Sequence, residues 1–147
     1  MKQVHIAVGV LAIALMAVVA IYGIWAWSRP AQRVWFWRLL RAAQLVVVVQ
    51  VALGGILVAL GHKPRGLHVL YGVLPLAVSL IAEMLRAASA QTVLDARGFA
   101  SAQEVGKRPP EEQRAVVVAI LRREFGLIAI AAVVIVVLLL RAAQTAG

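Results

Sequence analysis

Residues 4–27 read VHIAVGVLAIALMAVVAIYGIWAW, twenty-four positions without a formal charge. As a helix rising 1.5 Å per residue this stretch is about 36 Å long, slightly more than the hydrocarbon thickness of a bilayer. The whole chain has 147 residues, 63% of them hydrophobic and 14% charged, and so carries far more apolar surface than one water-soluble core can hide. Outward from the first run the same pattern recurs three times, at Ala42 to Gly61, at Leu67 to Leu85 with Pro75 and Glu83 inside it, and at Phe125 to Leu140. These runs predict an all-α, polytopic membrane protein. It is read as a single four-transmembrane-helix bundle over residues 1–147, with spans at about 4–27, 42–61, 67–85 and 125–140 and connections at 28–41 and 86–124.

Other classes fall away on composition. Lys2 followed by apolar sequence, with Ala17-Val18-Val19-Ala20 as a small-residue site, imitates a secretory leader, but the apolar run is longer than the 7–15 residues of a leader. The chain has no cysteine, which excludes disulfides, thiolate metal sites and a cysteine nucleophile. Nucleotide-binding glycine loops, a Ser/His/Asp arrangement and carboxylate metal clusters are also missing. The formal net charge of +9 would suggest nucleic acid in a soluble protein, but here the basic residues flank apolar runs and act as topology signals. No nucleic-acid partner is expected.

Counting those signals orients the bundle. Arg29, Arg33, Arg38 and Arg41 lie in the 28–41 connection, and Arg86, Arg97, Lys107, Arg108, Arg114, Arg122 and Arg123 in the 86–124 connection. Lys2, Lys63, Arg65 and Arg141 remain for the other side. The positive-inside rule therefore predicts a cell-membrane protein with both connections in the cytoplasm and both termini outside. Trp25, Trp27, Trp35 and Trp37 gather at the cytoplasmic end of the first two spans, where indole rings favour the headgroup boundary. Within 86–124, Pro110-Glu111-Glu112 reads as a helix start that runs through Arg122-Arg123 into the fourth span. Ala87 to Ala102 is read either as an interfacial helix or as an extension of the third span.

Inside lipid the backbone satisfies itself, so chemistry must come from the few polar side chains. His5 opens the first span and His68 the third; these two spans run parallel, so both imidazoles are expected at one extracytoplasmic edge, with His62 in the connection nearby. Projection at 100° per residue puts Gly9, Ala12, Met16 and Gly23 within about 40° of His5, and Gly72, Pro75, Ser79 and Ala82 within about 40° of His68. Such small-residue stripes serve close helix packing, or leave room for a flat cofactor hung between two imidazoles. Two neutral imidazoles at matched depth suit axial ligation of haem iron, with Tyr71 and Arg65 placed to hydrogen-bond a propionate; the other reading is that the histidines are wet, amphipathic residues of the interface and Arg65 an interfacial anchor. Gln44 and Gln50 are candidates for hydrogen bonds between helices, and Glu83 for pairing with Arg86.

Taken in order, His5, the basic turn Arg33 to Arg41, Gln50-Val51-Ala52-Leu53-Gly54-Gly55, Pro64 and Leu67-His68-Val69-Leu70 resemble half of a haem A synthase. That eight-span family is built from two four-helix halves, each holding a haem by a histidine pair. The resemblance covers most of the membrane part, and its most specific piece is the Gln-x-x-Leu-Gly to His segment. It implies haem b, with His5 and His68 as axial ligands and Gly9, Gly72, Tyr71 and Arg65 around the cofactor. The chain departs from the family's active half: Lys2 and Ile6 stand where Glu-x-x-His-Arg would place its carboxylate and arginine, and the outer-loop cysteine pair is missing. Methyl-oxidising enzyme activity is therefore not expected. Having four spans, the chain would match the family's size as a homo-oligomer or as a subunit of a larger membrane complex. The first expectation is a small b-type cytochrome for electron transfer or haem handling. The second is a cofactor-free accessory subunit, and the third a four-span transporter that uses Glu83.

Overall fold

The computed structural model describes residues 1–64 and 66–145. Six helices follow in order: α1 (Lys2–Ser28), α2 (Val34–Ala59), α3 (His68–Ala87), α4 (Ser89–Ala96), α5 (Ala102–Gly106) and α6 (Pro110–Gln144). No strand occurs among the described residues. Four of the helices, α1, α2, α3 and α6, are long and apolar enough to cross a membrane. Each is dictated by the same physics, since a helix satisfies its backbone hydrogen bonds internally where no water can.

The boundaries show what hydropathy measures. Helix α2 starts at Val34, eight residues before the apolar run at Ala42, so the 28–41 connection shrinks to a short link at 29–33. Only the central part of a helix must be apolar enough for lipid, and the turns beyond it are free to carry Arg38 and Arg41. Those turns are also core: Phe36 is fully buried and packs edge-on against Phe125 at 5.0 Å, while Trp37 stacks on Phe125 at 5.4 Å. The last of the four long helices, α6, begins at Pro110, as its proline and following acids predict, and carries Arg122 and Arg123 into the span. Ala88 separates α4 from α3, so the segment after Ala87 is a helix of its own and not an extension of the third span.

Two glycines end helices by the same device. After α2, Gly61 sits at φ +88°, its N–H reaches Val58 O at 3.0 Å, and the His62 N–H reaches Leu57 O at 3.0 Å. After α4, Gly98 sits at φ +73° with matching bonds from Gly98 to Asp95 and from Phe99 to Leu94. Both are left-handed caps in which a side chain would be strained.

The four long helices pack as a ring. Helix α6 lies against α1 and α3, α2 lies against the same two, and α1 and α3 occupy opposite corners. Small residues let the backbones approach: a Cβ added at Gly23 would lie 3.1 Å from Ala129 Cβ. The centre is filled by Ala12, Met16, Val19, Leu40, Ile128 and Ile135, and most other large apolar side chains face outward, as a lipid-facing wall requires.

Candidate functional site

Opposite corners of the ring bring His5 of α1 and His68 of α3 together. Their ring centroids are 6.1 Å apart, with planes inclined at 68°. Both are half-buried, at the same end of the bundle and on different helices, as their positions at the openings of two parallel spans predict.

Each ring is held by one of the remaining two helices. The Nδ1 of His68 lies 2.9 Å from the backbone carbonyl of Ala142 on α6. A carbonyl only accepts, so Nδ1 carries a proton, and in the neutral ring Nε2 is the nitrogen with the lone pair. The Nε2 of His5 lies 3.3 Å from the side-chain amide of Gln50 on α2. The other ring nitrogen, Nδ1, is buried with no hydrogen-bond partner, and so is Gln50 Oε1. Buried orphans of this kind are unusual in a folded protein and mark a place where a polar partner would be stabilised.

The glycines around this pair have definite work. A Cβ on Gly9 would lie 2.9 Å from Gln50 Nε2, and a Cβ on Gly54 would lie 3.3 Å from His5 Cε1. His5 and Gly9 are four residues apart on α1, and Gln50 and Gly54 are four apart on the antiparallel α2. Each helix thus offers one large polar side chain and one glycine a turn away, and each glycine receives the other helix's side chain. In sequence Gly9 reads as space for a flat cofactor; in the structure that space holds the Gln50 amide. Gly72 differs, because a Cβ there would meet nothing within 4 Å. Tyr71 is half-buried one turn from His68, and its carbonyl lacks the usual helical partner because Pro75 has no N–H. His62 is exposed in the connection, and Arg65 lies outside the described residues.

The remaining polar residues gather at the other end. Glu83 accepts two bonds from the Arg41 guanidinium at 2.9 and 3.1 Å, one from Gln44 at 2.9 Å and one from Arg86 at 2.9 Å. Gln44 also donates to Ser79 at 3.1 Å, and Arg86 lies over the Trp37 ring and 3.8 Å from Glu124. The expected pairing of Glu83 with Arg86 is present, enlarged by Arg41 and Gln44 into a clamp between α2 and α3. A carboxyl group met by four donors is held in place, which suits a structural tie better than cycling of a proton or cation.

No group of three or more His, Asp or Glu side chains that could hold a metal by themselves occurs among the described residues. Two imidazoles alone suit a metal whose other positions come from a macrocycle. No family model, curated protein or solved structure matches this chain.

Proposed function

We propose that this chain is a small membrane cytochrome of b type, in which His5 and His68 are the axial ligands of one haem b. The observation that carries the reading is the 6.1 Å separation of the two rings. Two imidazole–metal bonds of about 2 Å each, plus the ring radii on either side, add to about 6 Å. At His68 the donor chemistry fits, since Ala142 fixes the tautomer that leaves the Nε2 lone pair free; at His5 the Gln50 amide N–H donates to Nε2, and a haem iron would take Nδ1 once that amide turned so that its Oε1 accepted from Nε2–H. Such outer hydrogen bonds orient metal-bound histidines and raise their basicity. Haem, when bound, supplies a one-electron couple; the protein orients two neutral imidazoles and surrounds them with hydrocarbon.

Electron transfer or haem handling follows from this site better than oxidation of the macrocycle, because Lys2 and Ile6 flank His5 where the haem A synthase pattern has a carboxylate and an arginine. With eleven basic residues in the stretches 28–41 and 86–124 against four elsewhere, we orient the histidine end and both termini outside the cytoplasm. A second copy of the chain, or a larger membrane complex, would complete an eight-span assembly.

The test is a reduced-minus-oxidised spectrum of the full chain purified in mild detergent from haem-replete cells. Sharp bands of six-coordinate, low-spin haem are expected, lost in His5→Ala and in His68→Ala and kept in His62→Ala. Colourless protein overturns the proposal and points to a cofactor-free packing subunit; an unchanged spectrum in His68→Ala overturns the choice of ligands.

A further inference from the structure

At the arginine-rich end, outside the histidine site, a groove of about 520 Å³ lies between the end of α1, the end of α4 and the outer face of α6. Its construction is local and specific. The cap at Gly98 turns the chain immediately after Arg97 and fixes that residue at one rim. Arg122 and Arg123 stand on α6 at the second rim, and Gly126 and Ile130 continue the same face toward the middle of the bundle at helical steps of three and four. The third wall is Trp27. Gly126 admits it, since a Cβ there would lie 2.9 Å from Trp27 Cε2 and 3.1 Å from its Nε1.

The polarity along the groove runs from charge to hydrocarbon. None of the three arginines has an acidic partner among the ion pairs of the described residues, and all three are exposed. Further in, Trp27 against Gly126 is 40% exposed, and Ile130, two turns beyond the arginines, is 57% exposed. A molecule with a negative head and an apolar tail matches that order. A free anion would satisfy the arginines and leave Trp27 and Ile130 uncovered; a neutral lipid would leave three guanidinium groups without a counter-charge.

We infer that this groove binds an anionic phospholipid, its phosphate among Arg97, Arg122 and Arg123 and an acyl chain along Trp27, Gly126 and Ile130. The guanidinium groups supply forked, charge-assisted donors for phosphate oxygens. Basic pockets between membrane helices are the usual seat of such headgroups. The inference does not depend on haem, and its failure leaves the histidine site untouched.

The experiment titrates the full chain, in neutral detergent, with phosphatidylglycerol or phosphatidylcholine carrying the same brominated chains, and follows quenching of tryptophan fluorescence. Half-quenching is expected at a phosphatidylglycerol concentration roughly tenfold or more below that for phosphatidylcholine, since each basic contact contributes about fivefold. The triple variant Arg97→Gln, Arg122→Gln, Arg123→Gln should lose the preference, and Arg122→Lys with Arg123→Lys should keep most of it. Trp27→Phe should remove the main quenched component. A control of equal charge change, Lys107→Gln, Arg114→Gln, Arg141→Gln, should leave the preference intact. Equal quenching by the two lipids overturns the inference. So does an unchanged preference in the triple variant, an equal loss in the control, quenching undiminished by Trp27→Phe, or reversal by millimolar inorganic phosphate, which would make the groove a site for the free anion.

Discussion

Gln50 touches His5 and fills the notch at Gly9, so one side chain joins chemistry to packing. A methyl group at Gly9 would occupy the place of the Gln50 amide, whose flexible end would have to leave His5. Gly9→Ala is therefore expected to destabilise the bundle by about 1 kcal/mol through the lost interhelical hydrogen bond and displaced packing. In a Gln50→Ala background the same substitution should be neutral or mildly stabilising, because the notch is then empty. A double-mutant cycle on unfolding in mixed micelles measures the difference; additive effects would show that Gly9 and Gln50 are not coupled. The His5 neighbourhood was legible as residue types. The exchange of side chains and glycines between His5/Gly9 and Gln50/Gly54 was also written in the chain, as two four-residue spacings on antiparallel helices. Reading it needs the rotation of one helix against the other, which aliphatic sequence leaves open.

Among the elements, glycines of the same type have opposite duties. Gly61 stops α2 in the left-handed region at φ +88°, whereas Gly55 lies inside α2, where an added Cβ would meet nothing within 4 Å. Gly61→Ala should cost about 1 kcal/mol or more, since an L side chain is strained there. Gly55→Ala should stabilise by about 0.5–1 kcal/mol by removing backbone freedom from the unfolded state. Thermal unfolding of the two variants in one detergent tests both signs, and a matching direction would refute the assignment of Gly61 as a cap. Helix starts and stops of this kind are visible locally, as Pro110 and Gly61 are. The start of α2 is not, because Val34 to Arg41 mixes aromatic and basic residues that suit a loop or an interfacial turn equally well. It is helical because Phe36 and Leu40 find Phe125 and the core of the bundle.

At the scale of the whole molecule, the polar side chains separate into two ends. His5, Gln50 and His68 meet at one, and Arg41, Gln44, Glu83 and Arg86 meet at the other. The proposed orientation of that axis rests on the charge count, and a sequence without cysteine makes it simple to measure. In intact cells, Thr145→Cys is expected to react with a membrane-impermeant maleimide, and Ser101→Cys only after permeabilisation. The reverse pattern would put the histidine end in the cytoplasm and overturn the proposed topology.

Hydropathy and basic flanks alone determined that four helices are long and apolar enough to cross a membrane, because the cost of placing a side chain in lipid belongs to that residue wherever its neighbours lie. They also put His5 and His68 at the openings of parallel spans, because helix rise and alternation of direction are fixed by length. Tertiary structure decided what a count along one chain cannot: which face of each helix turns inward. Only that choice seats His5 in Gly54 and Gln50 in Gly9, ties His68 to Ala142, and closes Glu83 between two arginines. Between lipid-like faces many rotations are nearly equal in energy, and the close contacts of small residues with a few buried hydrogen bonds select one.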